Sequence, residues 1–143
     1  MATAPSRRPD AIDTTVQKTY GWLHDLTEEF GGISREEAYE ILRGFLHTLR
    51  DRLPVDEAAH LGAQLPMLIR GLYYEGWDPS RVPRKMKAEE FLEAFARQSG
   101  YQPDARGIQA LQAANRVLRR HIAEGEALDV MSSMPKDIRE LLA

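Results

Sequence analysis

The sequence predicts an all-α protein: a tandem duplication of a small four-helix unit, packed into one helical bundle-like domain. Three observations support this class. Apolar residues recur at the three- and four-residue spacing of amphipathic helices, and no segment keeps the alternation of a half-buried strand. The second half of the 143-residue chain also repeats the pattern of the first in a constant register, which indicates an internal repeat.

The first two helices are predicted from apolar stripes, a glycine pair and a capping pattern. Gly31 and Gly32 end the first helix, because glycine accepts a positive φ without strain. Ser34 and Glu37 match a capping box and begin the second helix. The first stripe consists of Val16, Tyr20, Leu23, Leu26 and Phe30, and the second of Ala38, Ile41, Leu42, Phe45, Leu46, Leu49 and Leu53.

Prolines delimit the two short helices that follow. Pro54 interrupts the second helix, and a third helix runs through Ala58 and Leu61. Pro66 begins a fourth helix that extends to about Tyr74, because proline suits a first helical turn and breaks an interior one.

The chain is predicted to contain four segments. Residues 1–12 form a leader that we expect to be disordered, and residues 13–75 form the first four-helix repeat. A basic, proline-containing linker occupies residues 76–87, and the second four-helix repeat occupies residues 88–143.

The internal repeat is found by aligning the chain with itself, which places residues 19–74 on residues 88–143 without a gap. We call this pairing the repeat alignment. About four identities would be expected by chance at ordinary composition. The eleven identical pairs are Leu23/Leu92, Gly31/Gly100, Leu42/Leu111, Leu49/Leu118, Arg50/Arg119, Glu57/Glu126, Ala58/Ala127, Pro66/Pro135, Ile69/Ile138, Arg70/Arg139 and Leu72/Leu141.

Composition excludes several classes of function. The chain has no cysteine, so disulfides and thiolate chemistry are absent, and its net charge of -3 predicts no general attraction to nucleic acid or anionic membrane. No apolar run is long enough to span a bilayer, and no secretory signal is recognisable. We expect a cytoplasmic protein with no membrane or nucleic-acid partner, although the basic residues of the linker leave a weaker nucleic-acid hypothesis open.

Two stretches carry a resemblance to a known family: LRDRLPVDEAAHLGAQLPMLIRGLYYEGW in the first half and VLRRHIAEGEALDVMSSMPKDIRELL in the second. They resemble the bacterial family catalogued as domain of unknown function 2267, over about residues 16–142. The resemblance implies an all-α, duplicated, cytosolic protein. The family has no agreed activity, cofactor or catalytic residue, so no site is transferred to this chain.

The polar residues that both repeats share are one candidate site. An arginine, an acid seven positions later and a second arginine thirteen positions after that could meet across three helices. They would form either a duplicated anion site or a structural Arg–Glu–Arg pairing that fixes the order of the helices. The residues are Arg50, Glu57 and Arg70 in the first repeat and Arg119, Glu126 and Arg139 in the second.

Tyr73, Tyr74 and Trp77 are the candidate partner-binding residues. Two interpretations stay open. The aromatic side chains could form an exposed patch that binds a partner, or they could cover the join between the repeats and anchor the linker. Their solvent exposure separates the two.

No catalytic motif, phosphate-binding glycine loop or metal-ligand spacing is present, so we expect no catalytic residue, no metal and no cofactor. The sequence therefore favours a non-enzymatic helical interaction module that binds a protein partner or a second copy of itself. The alternative is a protein that binds a small molecule or lipid in a pocket between helices or between the repeats, which MLIRGLYY, residues 67–74, could line.

Overall fold

The computed structural model describes residues 9–143, and within that range it is all-helical, with eight α-helices, one short 3₁₀ turn and no strand. The prediction of an all-α, bundle-like domain is confirmed. The helices are α1 (Asp10–Phe30), α2 (Arg35–Arg52), α3 (Val55–Ala63), α4 (Met67–Tyr74), α5 (Ala88–Ser99), α6 (Ala105–His121), α7 (Glu124–Ser132) and α8 (Lys136–Leu142).

The predicted leader overlaps the first helix. Residues 1–8 of that leader lie outside the described residues, and α1 begins at Asp10, so residues 10–12 are helical. Asp10 and Asp13 in the first turn favour a start there, because carboxylates interact well with the positive end of the helix dipole.

The bounds of the helices agree in the repeat alignment. Val55–Ala63 and Glu124–Ser132 correspond residue for residue, and α2 and α6 end at equivalent positions. α1 is the exception, since it begins at Asp10, whereas the position equivalent to the start of α5 is Thr19. The tandem duplication stays a prediction, and these matching bounds support it.

The long helices of the two halves pack against each other rather than only within their own half. α2 lies along α5, α1 lies along α6, and α2 also contacts α6. The buried apolar residues of both halves form one cluster, which includes Leu26 and Phe45 from the first half and Phe91 and Phe95 from the second. The two halves therefore share a single hydrophobic core.

Polar contacts between α1 and α6 follow the same cross-half arrangement. Glu29 accepts hydrogen bonds from Arg116 Nε at 2.9 Å and from Arg120 Nη2 at 3.1 Å. His121 lies 2.6 Å from Asp25 and stacks on Trp22 with ring centroids 4.5 Å apart. These ion pairs are partly exposed, so each contributes little stability, but together they fix how α1 sits along α6.

The helix ends agree with the sequence signals. Ser34 Oγ accepts the hydrogen bond from Glu37 N–H at 3.1 Å, as predicted for the start of α2. Gly31 and Gly100 follow α1 and α5 with φ of 78° and 81°. The expected core position of Tyr20 is wrong, because α1 turns Trp22 inward while Tyr20 is 50% exposed beneath the Arg35 guanidinium.

Gly44 on α2 marks the closest approach of α2 to α5. A methyl group at this position would lie 3.1 Å from both Cβ and N of Ser99 and 3.3 Å from the Gln98 carbonyl carbon. Two of these atoms belong to the backbone of α5, which cannot move without shifting the helix.

We expect Gly44→Ala to lower the free energy of unfolding by about 1–2 kcal/mol, although alanine is the better helix former. The matched control is Gly21→Ala in α1, where a methyl group would meet nothing within 4 Å. This control should raise the free energy of unfolding by up to about 1 kcal/mol. Urea unfolding followed by circular dichroism measures both, and equal stability of the two variants would contradict the close packing at Gly44.

Candidate functional site

An apolar groove of about 510 Å³ lies between α1 and α4. We call it the α1–α4 groove. Its lining comes from both helices, from one residue of α2 and from Glu75, which is the only charged residue that the described part of the chain contributes. The lining residues are Ile12, Thr15, Val16, Thr19, Tyr39, Met67, Leu68, Ile69, Gly71, Leu72 and Glu75.

Large apolar side chains of the groove are open to solvent. Met67 is 56% exposed, Ile12 50%, Leu68 48% and Tyr39 40%. Single exposed apolar residues are common on soluble proteins, whereas a contiguous set along one groove is typical of interaction sites.

The equivalent surface of the second half is charged. In the repeat alignment, Met67, Leu68 and Gly71 of α4 correspond to Lys136, Asp137 and Glu140 of α8. Both helices bury their isoleucine, Ile69 and Ile138, on the inner face. Their surroundings differ, because Leu68 lies beside the first turns of α1, which have no counterpart in the second half, whereas Asp137 accepts a hydrogen bond from Ala88 N–H at 2.8 Å.

The start of α4 is fixed by α1. Thr15 is buried, and its Oγ1 accepts the hydrogen bond from Leu68 N–H at 2.9 Å. This bond satisfies one of the first amides of α4, which have no partner within the helix. Thr15 thereby holds the two walls of the groove together at a polar point inside an apolar lining.

The end of α4 is fixed by α2. His47 Nε2 lies 2.7 Å from the Leu72 carbonyl oxygen, and Arg50 Nη1 donates hydrogen bonds of 2.6 Å to the carbonyls of Tyr73 and Glu75. Both side chains are buried, and burial lowers the pKa of His47. A neutral His47 that donates from Nε2, together with a charged Arg50, satisfies carbonyls that the helix end leaves unpaired.

The second half fixes the end of α8 at the equivalent carbonyls but with different side chains. Gln112 Nε2 donates to the Leu141 carbonyl at 3.0 Å, and Asn115 Nδ2 donates to the Leu142 carbonyl at 3.3 Å. Both donors lie on α6, the counterpart of α2. The first half thus uses a guanidinium where the second half uses side-chain amides.

The predicted Arg–Glu–Arg network is not assembled in the structure. Arg50 binds the end of α4, as above. Arg70 donates to the carbonyls of Gly62 and Leu65 at 2.9 and 2.8 Å, and Arg139 repeats this with a bond of 2.6 Å to the Met134 carbonyl. Each of these three arginines therefore satisfies main-chain carbonyls near a helix end rather than an acid of the predicted network.

The remaining members of that predicted network lie elsewhere. Arg119 is exposed, and the described residues give it no hydrogen-bond or ion-pair partner. Glu57 and Glu126, from equivalent positions of the two halves, meet each other where α3 packs on α7.

The three candidate partner-binding aromatics do not form the exposed patch. Tyr73 is fully buried, its hydroxyl donates to the Ala58 carbonyl at 2.8 Å, and burial raises the pKa of Tyr73. Tyr74 and Trp77 are half-buried, and the Tyr74 ring packs over Gly62. The three rings contact one another in series, with centroids 5.0 and 5.3 Å apart, so they join α4 to α3 and to the chain after α4.

Sequence reasoning identifies one wall of the α1–α4 groove, because MLIRGLYY, residues 67–74, is the stretch that it expects to line a pocket. It misses the wall on α1, since the predicted leader contains Ile12. A further signal for the α4 wall is that the repeat alignment pairs Met67 and Leu68 with Lys136 and Asp137 of α8.

One family model matches most of the chain, including most of both halves of the repeat alignment. The model for the uncharacterized conserved proteins DUF2267 matches residues 19–141. The chain belongs to the DUF2267 family. The matched span begins at Thr19, so the part of α1 that carries Ile12, Thr15 and Val16 precedes it. A comparison with curated proteins finds no match.

Within residues 9–143, no cluster of three or more histidine, aspartate or glutamate side chains is arranged to hold a metal ion. Over the same range, no helix combines the length and the apolar character needed to cross a bilayer.

Arg50→Met should lower the free energy of unfolding by about 2–3 kcal/mol, because the carbonyls at the end of α4 lose a charged donor. Arg119→Met is the matched control, being the same change at the equivalent position of the second half. Arg119 is exposed, so its replacement should stay within about 0.5 kcal/mol of wild type. Equal losses in the two variants, measured by thermal and urea unfolding, would contradict the assigned role of Arg50.

Proposed function

We propose that this DUF2267 protein is a non-enzymatic helical binding module whose α1–α4 groove accepts an amphipathic helix of a protein partner. One observation carries the proposal: Met67 and Leu68 are about half exposed beside Ile12 and Tyr39, while the equivalent positions of α8 are charged. An open apolar channel between two helices suits the apolar face of a third helix.

The charges around the groove define the chemistry of the partner. Glu75 lies in the groove lining. Glu36, Glu37 and Glu40 line a neighbouring open cavity of about 1070 Å³, and Tyr39 contributes to both surfaces. Arg35 and Arg106 in that cavity lie over the rings of Tyr20 and Phe30.

The acidic residues thus outnumber the basic ones along this side of the molecule. A partner helix with lysine or arginine flanking its apolar face would complement them, and charge complementarity would increase its rate of association.

Binding of designed peptides tests this proposal directly. The probe is a fluorescently labelled helical peptide with leucine on one face and lysine on its flanks. The comparison peptides are one with glutamate flanks and one of scrambled order with the same composition as the probe. We expect micromolar binding of the lysine peptide, at least about tenfold weaker binding of the glutamate peptide, and none of the scrambled peptide.

The groove variant takes its residues from α8. Met67→Lys/Leu68→Asp gives α4 the residues of the equivalent α8 positions and leaves the net charge unchanged. It should abolish binding of the lysine peptide while the fold persists. Leu128→Lys, which replaces an exposed apolar residue on α7, should bind like wild type. Equal binding by the wild type and the groove variant would contradict the proposal.

A second copy of the chain is the competing occupant of the α1–α4 groove. Size-exclusion chromatography with light scattering distinguishes it: a wild-type dimer that becomes monomeric in Met67→Lys/Leu68→Asp would assign the groove to a second copy of the chain. If the wild type is a monomer, the groove is open to a different protein partner.

A small apolar molecule is the second candidate ligand. The groove volume of about 510 Å³ lies within the range of small-molecule sites, which is about 300–1,000 Å³. The Glu75 carboxylate disfavours an anionic lipid and leaves a neutral or cationic ligand. Stoichiometric binding of a neutral apolar dye that the lysine peptide fails to displace would favour this candidate.

We further infer that the protein acts in the cytoplasm, that it does not bind nucleic acid, and that its two halves arose by tandem duplication. The net charge of -3 supports the second, and the matching helix bounds support the third.

A further inference from the structure

Two carboxyl groups face each other where the halves meet at α3 and α7. Glu57 lies in the first turn of α3, Glu126 lies in the first turn of α7, and the two residues are equivalent in the repeat alignment. α3 packs on α7, and Glu57 lies near enough to Glu126 to raise the pKa of the Glu126 carboxyl. Oε1 of each is shielded from solvent, and no hydrogen-bond donor within residues 9–143 reaches either atom.

The positive ends of α3 and α7 partly compensate the two negative charges, but within residues 9–143 no arginine or lysine forms an ion pair with either glutamate. The Glu57 side chain is only 16% exposed, and its closest basic neighbour is the largely exposed His60, with Nδ1 4.0 Å from Oε2. Asp129 on α7 adds a further negative charge near Glu126. Tyr73 of α4 lies close to both, but its hydroxyl donates to the Ala58 carbonyl, and Arg50 donates to carbonyls of Tyr73 and Glu75.

An ionised carboxylate carries no donor, so a hydrogen bond between the two glutamates requires a proton on one of them. We propose that Glu57 and Glu126 share one proton and form a pH-sensitive contact that holds α7 against α3. Loss of that proton leaves two like charges facing each other in a partly buried position, and α7 then loosens from α3.

The electrostatics supports this assignment. Burial, the hydrogen bond to Glu57 and the negative charge of Glu57 raise the pKa of Glu126 from 4.5 to about 7. Between these values the folded chain binds a proton that the unfolded chain does not. The contribution of the pair to stability is therefore present at pH 4.5 and is lost as the pH rises to 7.

His47 has the opposite dependence. Burial lowers the pKa of His47 from 6.5, so the unfolded chain binds this proton more readily, and stability falls as the pH drops below 6.5. The pH dependence of wild-type stability contains both the contribution of His47 and that of the glutamate pair. A comparison of wild type with a variant of the pair removes the contribution of His47, because both proteins contain it.

The variants replace the shared proton with a permanent donor. In Glu57→Gln the amide can donate to the Glu126 carboxylate at every pH, and Glu126→Gln does the reverse. Between pH 5 and 7 we expect the unfolding equilibrium constant of wild type to rise by up to about tenfold per pH unit relative to either variant. Glu124→Gln, an exposed change in the same turn of α7, should keep the wild-type dependence.

Carbon-13 NMR titration of the glutamate side-chain carboxyls in wild type tests the pair without any substitution. A step near pH 7 is expected at the Glu126 carboxyl, and a shared proton would change the chemical shift of the Glu57 carboxyl at the same pH. If the Glu126 carboxyl titrates below about pH 5, the shared proton is disproved whether or not the variants fold.

Hydrogen exchange tests whether the contact between Glu57 and Glu126 holds α7 against α3. After correction for intrinsic rates, α7 amides should open more often at pH 8 than at pH 6 in wild type and not in Glu57→Gln. A pair that titrates near pH 7 without this change in α7 would overturn the proposed role in holding α7.

Discussion

The close contact between α2 and α5 is the constraint on which the rest of this structure depends. Gly44 lets the two backbones approach, since a side chain there would meet Ser99 and the Gln98 carbonyl carbon at 3.1–3.3 Å. Because α2 belongs to the first half and α5 to the second, this contact and the packing of α1 on α6 put both halves into one core. Each half contributes only about 55–65 residues, a length at which an isolated domain buries too little surface to be more than marginally stable. Sharing a core removes that limit.

The same central helix also determines the shape of the α1–α4 groove. His47 and Arg50 project from α2 to the last carbonyls of α4, while Thr15 of α1 holds its first turn. α4 has eight residues, too few to form a stable helix in isolation, so its position depends on these bonds and on the burial of Ile69 and Tyr73. The inner face of α4 is thus occupied by structural contacts, while Met67 and Leu68 stay exposed, as the proposed binding role requires. A rigid groove loses less entropy when a ligand binds than a mobile one.

Helix order and most helix bounds could be predicted from the sequence, because prolines, glycines and caps act locally and the repeat supplied an independent check. The hydrogen-bond partners of individual side chains could not be predicted. Arg50, Glu57 and Arg70 were expected to pair, but Arg50 and Arg70 bind carbonyls near helix ends, whose position depends on how short helices turn back. Glu57 meets Glu126 because α3 packs on α7, a contact between segments far apart in the sequence that periodicity does not reveal. The exposure of Tyr73 stayed open for the same reason. The spacing of apolar residues in a helix does not show which of its faces a later helix covers.

Native-state hydrogen exchange under increasing urea tests the shared core most directly. If α2 and α5 hold one core together, the slowest amides of α2, α5 and α6 will exchange through a single opening with the same free energy and the same urea dependence. A lower free energy of opening for α1–α4 than for α5–α8, with separate urea dependences, would show two independently folding halves and would contradict this account.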